Sequence, residues 1–224
     1  VGWWELWRSR PAMRKAIAPL SRYLVTPETA QHRIFVWLQL PILPDKNLIV
    51  IPRDADTIFG ILQSRFHELW ALRKGSDLQE RPRYTHTSVF ATFPIPEGLT
   101  PNIPAADYAD DPHARAIGEA AARLNTLREN WLNPKELVER VPEVVEGYPD
   151  RILPKDEAAA KELKKRTLTN LYNARPAWLD HAHRALDEAV AEAYGWGDDY
   201  RAGLLTDDET LARLFRLNQE RADV

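Results

Sequence analysis

Not one of the 224 residues is a cysteine. Disulfide frameworks, thiolate zinc sites and cysteine nucleophiles are excluded together, so burial of apolar side chains has to hold the fold. The length suffices, because a chain of this size buries roughly 70% of the surface its unfolded form exposes. It allows one large domain or two small ones. The lack of cysteine fits a reducing, cytoplasmic setting. No apolar run approaches the roughly 18 residues of a membrane span, so no membrane partner is expected. The start, Val1-Gly2-Trp3-Trp4-Glu5, does not read as a signal peptide. With no initiator Met, the chain is expected to be a piece of something longer or the product of a non-Met start codon.

Punctuation of the chain is equally informative. Seventeen prolines stand against nine glycines, the reverse of the usual order of about 5% and 7%. Few glycines leave little room for a phosphate-cradling loop. The one G-x-G, Gly195-Trp196-Gly197, follows a helical pattern and reads as a helix stop.

Between the prolines, the first half mixes helix and strand signals. Ser9 with Pro11 starts a helix that ends before Pro19. The β-branched and aromatic runs at 33–38 and 47–51 predict strands. Residues 57–72 place Ile58, Leu62, Phe66, Leu69 and Trp70 at helical spacing, with Asp54 or Asp56 as cap and Gly75 as stop. Residues 84–93 read as a strand closed by Pro94 and Pro96. Residues 97–111 read as a linker, rich in Pro, Asp and small residues. Beyond it the pattern is helical. Helices are expected at 112–132, 156–173 and 177–194, with a last one opened by the Thr206/Glu209 capping box. Residues 133–155 are broken by prolines. The expected fold class is α+β: a mixed α/β domain at 1–96, a linker at 97–111 and an all-α helical domain at 112–224.

No catalytic constellation emerges. His181 and His183 are two apart on a helix and point to different faces. No H-E-x-x-H, Walker or G-x-S-x-G sequence is present. The acid pairs Asp110-Asp111, Asp198-Asp199 and Asp207-Asp208 sit in loops or at helix starts, where carboxylates cap free N–H groups.

Charge is divided unevenly. Residues 1–96 carry thirteen Lys and Arg against eight Asp and Glu, a balance of +5, whereas 97–224 balance to −8. A polyanionic partner is expected for the first half only. Its densest stretch, 72–87, holds Arg73, Lys74, Gln79, Arg81, Arg83, His86 and Thr87. Arg suits bidentate contact with guanine and Gln with adenine. Arg22, His32, Arg33, Arg65 and Lys74 are candidates for contact with phosphates. The competing expectation is a solvated face, with a helical half that docks a protein partner.

Two long strings, WWELWRSRPAMRKAIAPLSRYLVTPETAQHRIFVWL (3–38) and IFGILQSRFHELWALRKGSDLQERPRYTHTSVFATFPIP (58–96), resemble the target recognition domain of MmeI-like type IIG restriction–modification proteins and related adenine-specific DNA methyltransferases. LNTLRENWLNP (124–134) and LKKRTLTNLYNARPAWLDHAHRALDEAVAEAYGW (163–196) resemble that family's C-terminal helical region. The resemblance implies duplex DNA and a methyltransferase catalytic domain or subunit as partners, and S-adenosylmethionine as cofactor of that parent domain. No cofactor is expected in this chain, which lacks the Asn/Asp-Pro-Pro-Tyr motif and the Gly-rich loop. The resemblance places base reading on Gln79, Arg81, Arg83 and His86, in the family's variable polar segment. Phe66 and Trp70 are expected to pack in the core. Trp3, Trp4 and Trp7 are expected to leave an apolar patch if a catalytic domain is missing.

Overall fold

The computed structural model describes residues 10–78 and 81–222, with 76–78 and 81 described through the backbone alone. Trp3, Trp4 and Trp7 lie outside the described residues. Helix α1 (Pro11–Ile17) has Pro at its first turn and leads into strand β1 (Arg22–Pro27). Tyr23, Leu24, Val25 and Thr26 are all buried, so both faces of β1 are covered. It is the middle strand of an antiparallel sheet, with β2 (Val36–Gln39) on one side and β3 (Leu48–Ile51) on the other. Leu24 lies opposite both Trp37 and Ile51.

The stripe expected as one helix at 57–72 is two. Helices α2 (Asp56–Gln63) and α3 (Arg65–Lys74) meet at Ser64, whose backbone is extended. Ser64 Oγ donates to the Ile61 carbonyl at 2.7 Å, and the Arg65 N–H donates to Asp187 Oδ1 at 2.7 Å. A partner far along the chain therefore satisfies the free end of α3. Neither expected aspartate caps α2: Ala55 holds that position, and Asp56 lies in the first turn and pairs with Arg22 at 3.0 Å.

Residues 84–93 are not a strand. Strands β4 (Ser76–Leu78) and β5 (Arg81–Arg83) form a hairpin, and a single turn of π-helix follows at His86–Phe90. Hydroxyls close this turn locally: Thr85 bonds Ser88, and Thr92 Oγ1 donates to the Ser88 carbonyl at 2.7 Å. Such local bonds compete with strand pairing.

Residues 97–111 contain a turn of 3-10 helix at Ala105–Tyr108, and Leu99 is buried. Helix α4 (Pro112–Leu132) follows, capped by Asp111, whose carboxylate accepts the Ala114 N–H at 2.8 Å. One apolar core joins both sides of this segment through Ile58, Phe59 and Leu62 of α2, Ile117, Ala121 and Leu124 of α4, and Leu186. At Gly60 α2 packs directly against α4. A Cβ there would meet Ile117 Cγ2 at 2.6 Å.

The proline-broken stretch holds a hairpin, β6 (Val138–Val141) with β7 (Arg151–Pro154). The helix expected over 156–173 is again two, α5 (Glu157–Leu163) and α6 (Leu168–Ala174). Thr167 restarts it, its Oγ1 accepting the Asn170 N–H at 3.2 Å. Helices α7 (Ala177–Ala193), α8 (Gly197–Arg201) and α9 (Asp207–Ala222) follow. Thr206 accepts the Glu209 N–H at 3.2 Å, but the Glu209 carboxylate turns to Arg213, so the capping box is half made. The fold is α+β, with small antiparallel sheets and several helices. Among the described residues, no helix is long and apolar enough to cross a membrane.

Candidate nucleic-acid interface

The hairpin β4–β5 is built by close backbone contact at its base. Gly75 ends α3, and a Cβ there would lie 2.7 Å from the Ala71 carbonyl oxygen and 2.8 Å from that of Arg83. Ser76 pairs with Arg83, and Thr29 bridges Arg83 from the other side. The Tyr84 N–H then donates to the Glu28 carbonyl at 2.7 Å.

Arg33 locks this arrangement from within. Only 8% exposed, it donates to the Pro82 carbonyl at 3.0 Å and to Thr26 Oγ1 at 3.1 Å, and its guanidinium covers the Tyr84 ring. Burial draws its pKa down to about 10, so it remains a cation at neutral pH. Beneath it, His67 is buried and held neutral, its pKa pushed down to about 3 by desolvation. Its Nδ1 faces the Leu62 carbonyl at 2.8 Å and its Nε2 the Tyr84 hydroxyl at 3.1 Å. A carbonyl only accepts, so the network assigns the proton to Nδ1 and makes Tyr84 the donor to Nε2. Phe66 and Trp70 are buried, as expected.

On this support two candidate base readers are exposed on either side of buried Tyr84. Arg83 is half exposed and donates to Glu28 Oε1 at 2.7 Å. His86 is exposed at the start of the π-turn, followed by exposed Thr87 and Ser88. Arg81 is described through its backbone only, opposite Leu78, and Gln79 lies outside the described residues.

The phosphate candidates are scattered. Lys74 adjoins the hairpin, its ammonium over the Trp70 and Phe215 rings. His32 lies on the loop leading from Thr29, with Nε2 at 2.6 Å from Asn173 Oδ1. Arg65 stands at the far end of α3 and pairs with Glu68 and Asp207. Arg22 stands at the opposite end of β1, stacked over Trp37 and paired with Asp56. Six residues of strand separate it from the hairpin by about 20 Å. Thus Arg83, His86, His32 and Lys74 gather around one hairpin, Arg33 lies inside it, and Arg22 and Arg65 are elsewhere. Sequence reasoning did not single out Gln31, whose Nε2 donates to Asn173 Oδ1 at 3.2 Å, or Asn173 itself. Their only signal was polarity in two segments 142 residues apart.

The paired histidines do diverge. His181 is exposed, whereas His183 is buried, its Nε2 at 2.9 Å from the Tyr172 hydroxyl. Among the described residues, no group of three His, Asp or Glu is placed to hold a metal ion.

No protein-family model matches the chain. DNA methyltransferase A of Bacillus subtilis (strain 168) is 28% identical over 177 residues, 78% of this chain. A solved structure of the Type IIL restriction-modification enzyme MmeI in complex with DNA shares 25% identity and a TM-score of 0.60 over 91% of this chain. The chain spans 15% of the length of the first and 22% of the second. In sequence and in fold it resembles the recognition and C-terminal region of MmeI-like restriction–modification proteins.

Proposed function

We propose that this chain is the DNA sequence-recognition portion of a site-specific adenine DNA methyltransferase or type IIG restriction–modification enzyme. It would hold duplex DNA for a catalytic domain or subunit outside the chain, where S-adenosylmethionine binds. One observation carries the reading: Arg83 and His86 are presented to solvent by a hairpin and π-turn that Arg33, His67 and Tyr84 fix from beneath. The fold similar to an enzyme solved with DNA supports it.

In this reading Arg81 and Arg83 each address guanine O6 and N7, Gln79 addresses adenine, and His86 borders the same groove. Lys74 and His32 flank the hairpin and set register on the phosphates, with Arg65 and Arg22 as outlying phosphate contacts away from it. Arg33 acts by carrying the hairpin, since its donors are spent on protein carbonyls. The methyltransferase must extrude its adenine from the stack, and the recognition portion keeps the duplex in place while it does so.

The test is selection from a randomised duplex library at several ionic strengths. Enrichment of one short motif, with affinity falling as salt rises, is the expected result. Absence of both would overturn the reading and favour a protein-docking module. One observation speaks for that alternative: Val144, Val145 and Tyr148 of the β6–β7 loop are exposed, Val144 to 88%.

A further inference from the structure

The balance of −8 in the helical half is not uniform. Between 161 and 175, five bases stand against the single acid Glu162: Lys161, Lys164, Lys165, Arg166 and Arg175. Lys161, Lys164 and Lys165 are exposed. Among the described residues Lys161 and Lys164 have no partner, and Lys165 reaches Glu162 only at 3.8 Å. Glu162 is shared with Arg166 at 3.4 Å, while Asp180 absorbs the charge of Arg175 at 3.1 Å.

This corner is tied to the hairpin through side-chain bonds at both ends of α6 and the loop that precedes β2. The Asn170 amide donates to the Lys165 carbonyl at 2.8 Å. Asn170 and Asn173 are three residues apart and share one face of α6. Asn173 Oδ1 then receives the Gln31 amide at 3.2 Å and His32 Nε2 at 2.6 Å. From that loop Thr29 bridges Arg83. With its oxygen doubly engaged, Asn173 keeps its Nδ2 donors without a partner among the described residues, on an exposed side chain. Arg83, Gln31, Asn173, Asn170 and Lys165 thus form one exposed track of donors and cations crossing from the first half to the second.

We infer that the α5–α6 corner is a second contact surface for the phosphodiester backbone, continuous with the hairpin through the 28–32 loop. Lys164 and Lys165 neutralise phosphates there, and the Asn173 amide donates to a phosphate oxygen. The inference rests on the recognition reading and extends it, because it assigns part of the DNA footprint to the half whose overall charge disfavours it.

The test compares wild-type chain, Lys164→Gln/Lys165→Gln and the control Arg115→Gln/Arg123→Gln, which removes the same charge from exposed positions on α4. Each is titrated with duplex carrying the selected motif across a salt series. The expected result is that the lysine pair alone flattens the slope of log affinity against log salt by one to two units, about 0.9 for each phosphate no longer neutralised. The selected motif stays the same. If wild type selects a motif and the lysine variant keeps its slope, or the control flattens as much, this inference is overturned and the recognition reading stands. If wild type shows no salt-dependent binding, both fall.

Discussion

The buried guanidinium of Arg33 donates at 3.0 Å to the carbonyl of Pro82, the residue between Arg81 and Arg83 of the hairpin. This buried basic side chain of the first half thus serves the neighbouring basic residues mechanically. Its removal would leave the carbonyls of Pro27 and Pro82 and the Thr26 hydroxyl short of a donor. Arg33→Met is expected to destabilise the fold by about 2–4 kcal/mol. Amide exchange at Tyr84, whose N–H anchors the hairpin to Glu28, should accelerate more than exchange in α7. Native stability in urea together with unchanged Tyr84 exchange would contradict the strut role.

Arg83 presents the opposite case. Its pairing with Glu28 is half exposed and therefore worth at most about 1 kcal/mol. Arg81→Ala/Arg83→Ala is expected to fold with nearly wild-type stability and to lose sequence discrimination while retaining weak, salt-sensitive DNA binding. Library selection checks this, and an unchanged motif would remove base reading from the hairpin.

Gly60 tests the junction between α2 and α4. Alanine is the better helix former by about 1 kcal/mol. The new Cβ, however, would meet Ile117 Cγ2 at 2.6 Å and both Ala121 Cβ and Leu186 Cδ1 at 3.0 Å. Overpacking typically costs about 1–3 kcal/mol, so the clash wins and Gly60→Ala is expected to lower the urea midpoint. A raised midpoint would mean that the helices separate more easily than this packing implies.

Periodicity revealed the core of the first half: Ile58, Leu62, Phe66, Leu69 and Trp70 are all buried. It was blind to the break at Ser64, because the apolar stripe runs on across it and the break depends on Asp187. Strand β1 escaped for a different reason, since a strand covered on both faces shows no alternation. At His86–Phe90 composition favoured a strand, but hydroxyl groups of Thr85, Ser88 and Thr92 closed a helical turn. Strand β7 is exposed along its whole length and carries no pattern to read. For the candidate interface, the density of Arg and Lys pointed to the hairpin. It could not separate inward Arg33 from outward Arg83, because that depends on the packing of Tyr84 and Thr26 around the guanidinium.

Three buried titratable groups set the acid response. His67 and His183 are held neutral by desolvation, each with its pKa lowered from 6.5 to about 3. Between those values the unfolded chain binds the extra protons, so each histidine contributes stability that is complete above pH 6.5 and lost on acidification, at about 1.4 kcal/mol per pH unit. Asp187 acts in the opposite sense. Desolvation raises its pKa from 3.8 to about 7, against the opposing pull of the Arg65 N–H, so the folded state binds its proton first and stability falls as pH rises through that window. Two groups against one leave a net loss of about 1.4 kcal/mol per pH unit from about pH 6.5 down to about 4. Asp187→Asn keeps an oxygen for the Arg65 N–H and removes the opposing group. It is expected to stabilise the protein at about pH 8 and to double the slope below about pH 6.5. Urea midpoints measured across that range check both, and a variant that is less stable than wild type at the alkaline end would show that the Asp187 charge, not merely its oxygen, holds the start of α3.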